Sequence, residues 1–325
     1  AACLKHCLSR TGMPVRVIMV GPEPAIAQVM SGAGDPGIHL VEWVKVSPET
    51  GFADAVNQGL EQVEEPFAVL LDPAIIVADG WLESFIRVFD EHPVVGLLNP
   101  LFGSEEQAAA DDGTVAHTFV ENTFCNGSCM AIRRDVLRRV GGYTCSYVRS
   151  HLADADYSMK AQQAGFVIGT ARTVRVRRRR IPFRFFRKMR SESAAGRNTE
   201  LFAGSWGRVL TVGWFFDRDA IAEEDMLEVI GLARNGNYVR CFLTGTSMPR
   251  HRMFEKFGLH EHSGVRFSWY RDPAAIDRDT RRHIDECDLY IGPAATVSAA
   301  AGQNQKPAIP VCDMRQIQKV KNEKI

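Results

Sequence analysis

The chain has 325 residues, enough for two domains with a sizeable core in each. Its 45% hydrophobic and 24% charged residues are those of an ordinary globular protein, and 39 basic side chains balance 39 acidic ones, which excludes overall basicity as a reason to bind nucleic acid. No apolar run approaches the ~20 residues of a membrane span and no signal peptide is visible, so the chain is expected to lie at most on a membrane surface.

Residues 1–10 read as helix, 15–21 as a strand followed by a Gly-Pro turn, 31–37 as a loop and 38–46 as a strand. Ala53, Val56, Leu60 and Val63 recur at helical spacing up to the breaker Pro66. The apolar run 67–71 is too short for a helix and predicts a strand buried on both faces of a parallel sheet. It ends at Asp72-Pro73-Ala74. An acidic residue beyond a strand's carboxyl end sits where open α/β sheets bind ligands, while Asp-Pro also starts turns, and both readings stand for Asp72. A second helix completes residues 51–100.

Residues 103–117 are polar and small, a surface loop. In residues 124–143, FCNGSCMAIRRDVLRRVGGY, a strand over 128–132 and a helix from Asp135 end at Gly-Gly, and Asn126 and Gly127 form either a turn or part of a binding cleft. In HLADADYSMKAQQAGFVIG, residues 151–169, Asp154 and Asp156 flank one residue just before a helix that Gly165 ends. Carboxylates there cap the helix and suit its dipole, or one of them faces a cleft as a general base.

Residues 174–190, VRVRRRRIPFRFFRKMR, mix arginines with phenylalanines. That pattern suits an anionic membrane surface or a donor phosphate before it suits nucleic acid, and a docked linker is the plain alternative. Residues 191–199 read as linker. Beyond them strands alternate with helices to about residue 311, predicting a parallel, Rossmann-like sheet. His251, His260 and His262 fall beside a loop and are expected to be exposed. The eight cysteines lack paired CxxC spacing and read as scattered buried thiols, which fits a reducing cytoplasm.

The run GFADAVNQGL, the strand ending LLDPA, then DGWLESF and PVVG, followed by the 124–143 and 151–169 blocks in that order, resemble family 2 glycosyltransferases of the GT-A fold, notably the rhamnosyltransferase-like branch. The resemblance covers about residues 1–180. It implies an α/β, GT-A-like nucleotide-sugar domain over that span; the pattern of the remaining residues adds a basic-aromatic linker over 181–205 and a second Rossmann-like domain over 206–325. It implies transfer of a sugar, with inversion, from a nucleotide-diphosphate sugar to a glycan or lipid-linked hydroxyl acceptor, at the inner face of the cytoplasmic membrane. Gly51, Asn57 and Asp72 take the family's donor-side positions, Asn126 and Gly127 its acceptor side, Asp154 its catalytic base and Asp156 a supporting carboxylate.

The sequence also departs from the family. Glu49 stands where a first asparagine is implied, Ala153 replaces a glutamate, and the strand that comes first in the family, ahead of the helix over 1–10, is not seen. Ala74 stands where a second carboxylate would join Asp72 in holding manganese or magnesium. Arg177 or Arg178 is the alternative source of positive charge for the donor diphosphate. A degenerate module that binds sugar or sugar nucleotide without catalysis is the alternative function. DLYIGPAATVSAAAGQNQKPAIPV, residues 288–311, weakly resembles the donor half of GT-B glycosyltransferases, with amides at 294–297 as a phosphate cradle.

Overall fold

The computed structural model describes residues 2–32, 34–103, 118–147, 152–179, 192–216, 221–245, 247–271, 276–293, 296–298, 308–309, 317 and 320–321. The structure is α/β throughout and divides into two compact units, the first Ala1–Val120 with Phe124–Leu201, the second Glu121–Thr123 with Phe202–Ile325.

The first unit begins with α1 (Ala2–Arg10), β1 (Arg16–Gly21), α2 (Glu23–Met30), β2 (Leu40–Lys45), α3 (Phe52–Leu60) and β3 (Phe67–Leu71). It continues through β4 (Ile75–Val77), α4 (Trp81–Glu91), β5 (Val95–Phe102), β6 (Phe119–Glu121), β7 (Cys129–Arg133) and α5 (Arg134–Val140). Next come α6 (Ala153–Gln163), β8 (Val167–Arg178) and the start of α7 (Glu192–Trp206). Helix α2 lies where only a Gly-Pro turn was read. Pro22 is its N-cap and Pro24 falls in its first turn, where a missing N–H costs nothing.

The main sheet runs β3-β7-β5-β8-β4, with β6 on β8. Helix α4 packs on it through Trp81, Phe85, Val88 and Phe89, the one-face spacing of an amphipathic helix, against Ile75, Val95, Leu98, Phe119 and Val174. Each such fully buried side chain contributes about 1.5–3 kcal/mol.

Strand β3 corrects the expectation of a twice-buried parallel strand. It pairs antiparallel with β7 and is only half-buried along its length. Strands β1 and β2 form a separate parallel pair. One edge of β1 and one edge of β3 therefore have no partner among the described strands. Arg16 at the foot of β1 reaches Glu65 just ahead of β3, Nε to Oε1 at 2.9 Å.

The second unit holds β9 (Thr211–Phe215), α8 (Glu223–Arg234), β10 (Tyr238–Thr244), α9 (Arg250–Glu255), β11 (Val265–Tyr270), α10 (Arg278–Asp285), β12 (Leu289–Ile291) and β13 (Ala308–Ile309). All pairings are parallel and the order is β11-β10-β9-β12-β13, so the chain changes direction of travel between β9 and β12. Trp214, Met226, Val229, Ile230 and Phe254 fill one core. Phe215, Phe242, Ile284 and Tyr290 fill another. Asp277 starts α10 by accepting the N–H groups of Asp279 and Thr280. Most of residues 191–199, read as linker, lie in helix α7, where Asn198 and Phe202 are buried. Residues 104–117, 180–191 and most of 294–307, singled out above, lie outside the described residues.

Among the described residues the thiols of Cys7, Cys125, Cys129, Cys241 and Cys287 are buried, Cys3 is half-buried and Cys145 is exposed. Among the described residues no helix is long and apolar enough to cross a membrane.

His262 is a further correction, since it is fully buried rather than exposed. Within the second unit Glu121 donates its N–H to Glu261 O and accepts that of Ser263, both at 2.7 Å, which lays Glu121–Thr123 along residues 261–263. Arg234 grips the Glu121 carboxylate at both oxygens, 2.7 and 2.8 Å, and Arg250 pairs with Glu261 at 3.1 Å and donates to His262 O. The His262 Nδ1 accepts the Gly264 N–H at 3.0 Å. Burial first, then Arg234 and Arg250, push this imidazole down to about 3.

The unfolded chain takes up a proton near the ordinary value of 6.5 and the folded one does not until about 3, so stability falls as pH drops through that window. Denaturant titrations at stepped pH should show wild type losing up to about 1.4 kcal/mol per pH unit relative to His262→Gln below pH 6.5. Parallel curves for the two proteins would refute a buried neutral His262.

Candidate functional site

The site grows from the carboxyl end of β3. Asp72 adds one rung to the β3–β7 ladder by donating its N–H to Ser128 O at 2.8 Å, and its Oδ1 accepts the Ala74 N–H at 2.7 Å, an Asx turn. Its Oδ2 lies 3.8 Å from Arg178 Nη2. Neighbouring residues of a strand point to opposite faces, so only one of Arg177 and Arg178 can share the face of Asp72, and Arg178 does. Arg177 is exposed, opposite Ile76 in the β4–β8 register.

The turn ahead of β7 is held by Asn99, a buried polar residue within apolar β5. Asn99 Oδ1 accepts the Asn126 N–H at 2.7 Å, and its Nδ2 donates to Asn126 O and Cys129 O at 2.8 and 2.7 Å. Asn126 Oδ1 in turn accepts the Ser128 N–H, and the residue is exposed. Gly127 follows. A Cβ there would overlap the Asp154 carboxylate, so glycine is what allows this turn to approach Asp154.

Asp154 and Asp156 lie inside the first turn of α6 rather than ahead of it. The N-cap is Leu152, in the left-handed region at φ 64°, so neither aspartate has the capping role read from the sequence. The N-terminal end of the helix still favours their charge. Asp156 is 3% exposed and fully engaged, with Thr144 Oγ1 donating at 2.7 Å, Tyr147 Oη at 3.4 Å and Lys160 Nζ at 3.1 Å.

Asp154 is served far less well. Its Oδ1 is buried and makes no hydrogen bond of ordinary geometry. Burial raises its proton affinity above the ordinary carboxylate range, and the Gly127 N–H and the Tyr143 hydroxyl partly oppose that rise. A carboxylate held this way takes up a proton more readily than an exposed one, which suits a general base.

Asn57 reaches this cluster through Tyr143. Its Oδ1 accepts the Tyr143 N–H at 2.7 Å and its Nδ2 donates to Tyr143 O at 3.0 Å. Gly51 is the N-cap of α3. Contacts thus join Arg178, Asp72, the Asn126–Gly127 turn, Asp154 and, through Tyr143, Asn57. Asn99, Tyr143, Thr144, Tyr147 and Lys160 were not picked out in the sequence. Asn99 carried a signal, as an amide within an apolar run. A hollow of about 570 Å³ lined by Met13, Glu83, Ile86, Arg87, Asp90 and Glu91 shares no residue with this cluster.

Among the described residues no three His, Cys, Asp or Glu side chains converge as metal donors. Asp72 has one oxygen on Ala74 N–H and the other toward Arg178, and Ala74 is buried, so the donor set does not fit a divalent cation.

No protein-family model and no curated protein matches the chain. Among solved structures it is similar to GalNAc-T7 with UDP, GalNAc and Mn2+, at 14% identity and TM-score 0.38, over 49% of this chain and 34% of that one. It is similar to the mannosyltransferase PcManGT from Pyrobaculum calidifontis with GDP-Man and Mn2+, at 14% identity and TM-score 0.40, over 69% of this chain and 79% of that one. It is also similar to TarS of S. aureus, at 13% identity and TM-score 0.42, over 63% and 68% of the two chains. The chain thus spans 34% of the length of GalNAc-T7.

Asp156→Ala should cost about 2–4 kcal/mol, because it strands Lys160, Thr144 and Tyr147 around a lost buried charge. Urea denaturation checks this, and a loss under about 0.5 kcal/mol would show the network to be idle.

Proposed function

We propose that the first unit transfers a sugar from a nucleotide-diphosphate sugar to a hydroxyl of a glycan or lipid-linked acceptor, with inversion, and that Asp154 is the general base. The observation that carries this is the buried, under-paired carboxylate of Asp154 against the Gly127 turn, in the block whose sequence resembles the catalytic segment of family 2 glycosyltransferases. Inversion needs one base to take the proton of the acceptor hydroxyl as its oxygen attacks the anomeric carbon, and a raised proton affinity suits that task.

On this reading Asp72 and the Asn126 turn border the donor, and the half-exposed Arg178 offers charge to the leaving diphosphate. Asn57 acts through the backbone of Tyr143, since both ends of its amide are committed there. Asp156 supports Asp154 by fixing the segment that carries Thr144 and Tyr147. The basic residues of β8 give a membrane-linked acceptor a positively charged surface against which anionic headgroups can lie.

A second reading, a module that binds without turnover, is favoured by one observation: Ala74 and Ala153, where the resemblance implies carboxylates, are both buried.

The test is donor binding and hydrolysis across UDP-, GDP- and dTDP-sugars, with manganese and with chelator. Turnover that persists in chelator is the expected result, and turnover that vanishes and returns with manganese would overturn the arginine role. Asp154→Asn should lower turnover by at least about 10³-fold with donor affinity unchanged. Binding without turnover in wild type would establish the module instead. The base must be ionised, and its folded proton affinity is raised. Activity is therefore lost as pH falls, through a midpoint above the ordinary 3.8, and a pH–rate profile flat down to pH 4 would exclude Asp154 as base.

A further inference from the structure

Tyr143 is held through its backbone, one ring face and one ring edge. Asn57 holds its backbone N–H and C=O, Tyr157 stacks on its ring with centroids 4.6 Å apart at 7°, and Phe52 meets its edge at 6.2 Å. Tyr157 is anchored in turn by its hydroxyl on Gly141 O at 3.2 Å. Gly142 must lack a side chain, because a Cβ there would overlap the Asn57 amide. Tyr143 is 3% exposed, so its hydroxyl is delivered to one buried point.

That point is beside Asp154. The Tyr143 hydroxyl and Asp154 Oδ1 are both buried and neither makes a hydrogen bond of ordinary geometry, so each is the other's available partner. Packing does not account for this hydroxyl. Phenylalanine would fill the same stack, and burying an O–H without a partner costs free energy.

We infer that Tyr143 is the positioning residue of Asp154, its hydroxyl donating to Oδ1 so that the carboxylate stays ionised and is held against the Gly127 N–H. The inference rests on the general-base reading for its catalytic meaning, but the contact can be tested without it. The hydroxyl is a neutral donor. It lowers a proton affinity that burial has raised, without the fixed positive charge of a lysine or arginine, which would lower it further. Burial and the neighbouring Asp154 charge also push the phenol well above its ordinary range, so Tyr143 lends a hydrogen bond and keeps its own proton. In the proposed transfer the acceptor's proton passes to Asp154, and Tyr143 undergoes no net change.

The experiment follows the Asp154 carboxyl carbon by NMR during pH titration of the full chain, as wild type, Tyr143→Phe and Tyr157→Phe. Tyr143→Phe should move the midpoint up by about one pH unit, the scale of one hydrogen bond to a charged group. Tyr157→Phe, which removes a hydroxyl from the same stack but not from Asp154, should leave it in place. Replacing Tyr143 by 3,5-difluorotyrosine keeps the ring and strengthens the donor, so the midpoint should move down even if the phenylalanine variant folds poorly. An unmoved midpoint in both Tyr143 variants overturns the inference and leaves Tyr143 as packing. The acid limb of donor turnover should shift in parallel with the midpoint. A midpoint that moves while the limb stays fixed would uphold the Tyr143 contact and refute Asp154 as the base.

Discussion

The first turn of α6 takes the whole Asp156 carboxylate and one oxygen of Asp154 out of water, and the segments around that helix are arranged to meet the cost. Residues two apart on a helix lie about 200° apart around its axis, so Asp154 and Asp156 face different surroundings despite their spacing. Asp156 turns toward Thr144, Tyr147 and Lys160, which satisfy it. Asp154 turns toward a glycine turn and a clamped tyrosine, which satisfy it incompletely. One carboxylate therefore holds structure, and the other keeps a high affinity for a proton. The division follows from what each meets, with the helix dipole common to both.

The segment from Gly141 to Tyr147 is the part that must not move, because it carries partners for both aspartates. Asn57 binds it as a neighbouring strand would, giving an acceptor to the Tyr143 N–H and a donor to its C=O. An amide side chain can do both with a single planar end at any ordinary pH. This gives α3 a structural hold on chemistry that lies 86 residues away along the chain.

Elements with a strong period were legible in the sequence. The strand at 67–71, the helix after residue 134, and the alternation of strands and helices beyond residue 207 all stand close to where the apolar pattern put them. Asp72 and the Asn126–Gly127 pair could be singled out in the sequence because aspartate after an apolar strand and glycine beside asparagine are marked by type. What each of them touches was not legible. The partner of Asn57 and the burial of His262 depend on segments distant in sequence, the latter on Glu121–Thr123, and no local pattern encodes such pairings. The start of α7 was masked by small and polar residues that read as linker, while its buried Asn198 and Phe202 depend on tertiary packing. Strand β3 is apolar enough for burial on both faces, yet β7 is its sole neighbour among the described strands, so its residues stay half-exposed.

Ala74 bears on the electrostatics of the proposed donor side in two ways. A second carboxylate there would supply a cation ligand, but without the cation it would repel an incoming diphosphate. With alanine, Asp72 is the one carboxylate of the Asp72–Pro73–Ala74 turn. Its charge is met by the Ala74 N–H on one oxygen and by Arg178 near the other. Arg178 is about half exposed, so it is not locked to Asp72 and can turn its remaining donors outward. Alanine at 74 thus brings neither a cation ligand nor a repulsion, and leaves strand β8, with arginines at 175, 177 and 178, as the nearby source of positive charge. For the proposed transfer, guanidinium groups are the side chains whose planar donors match the oxygens of a diphosphate.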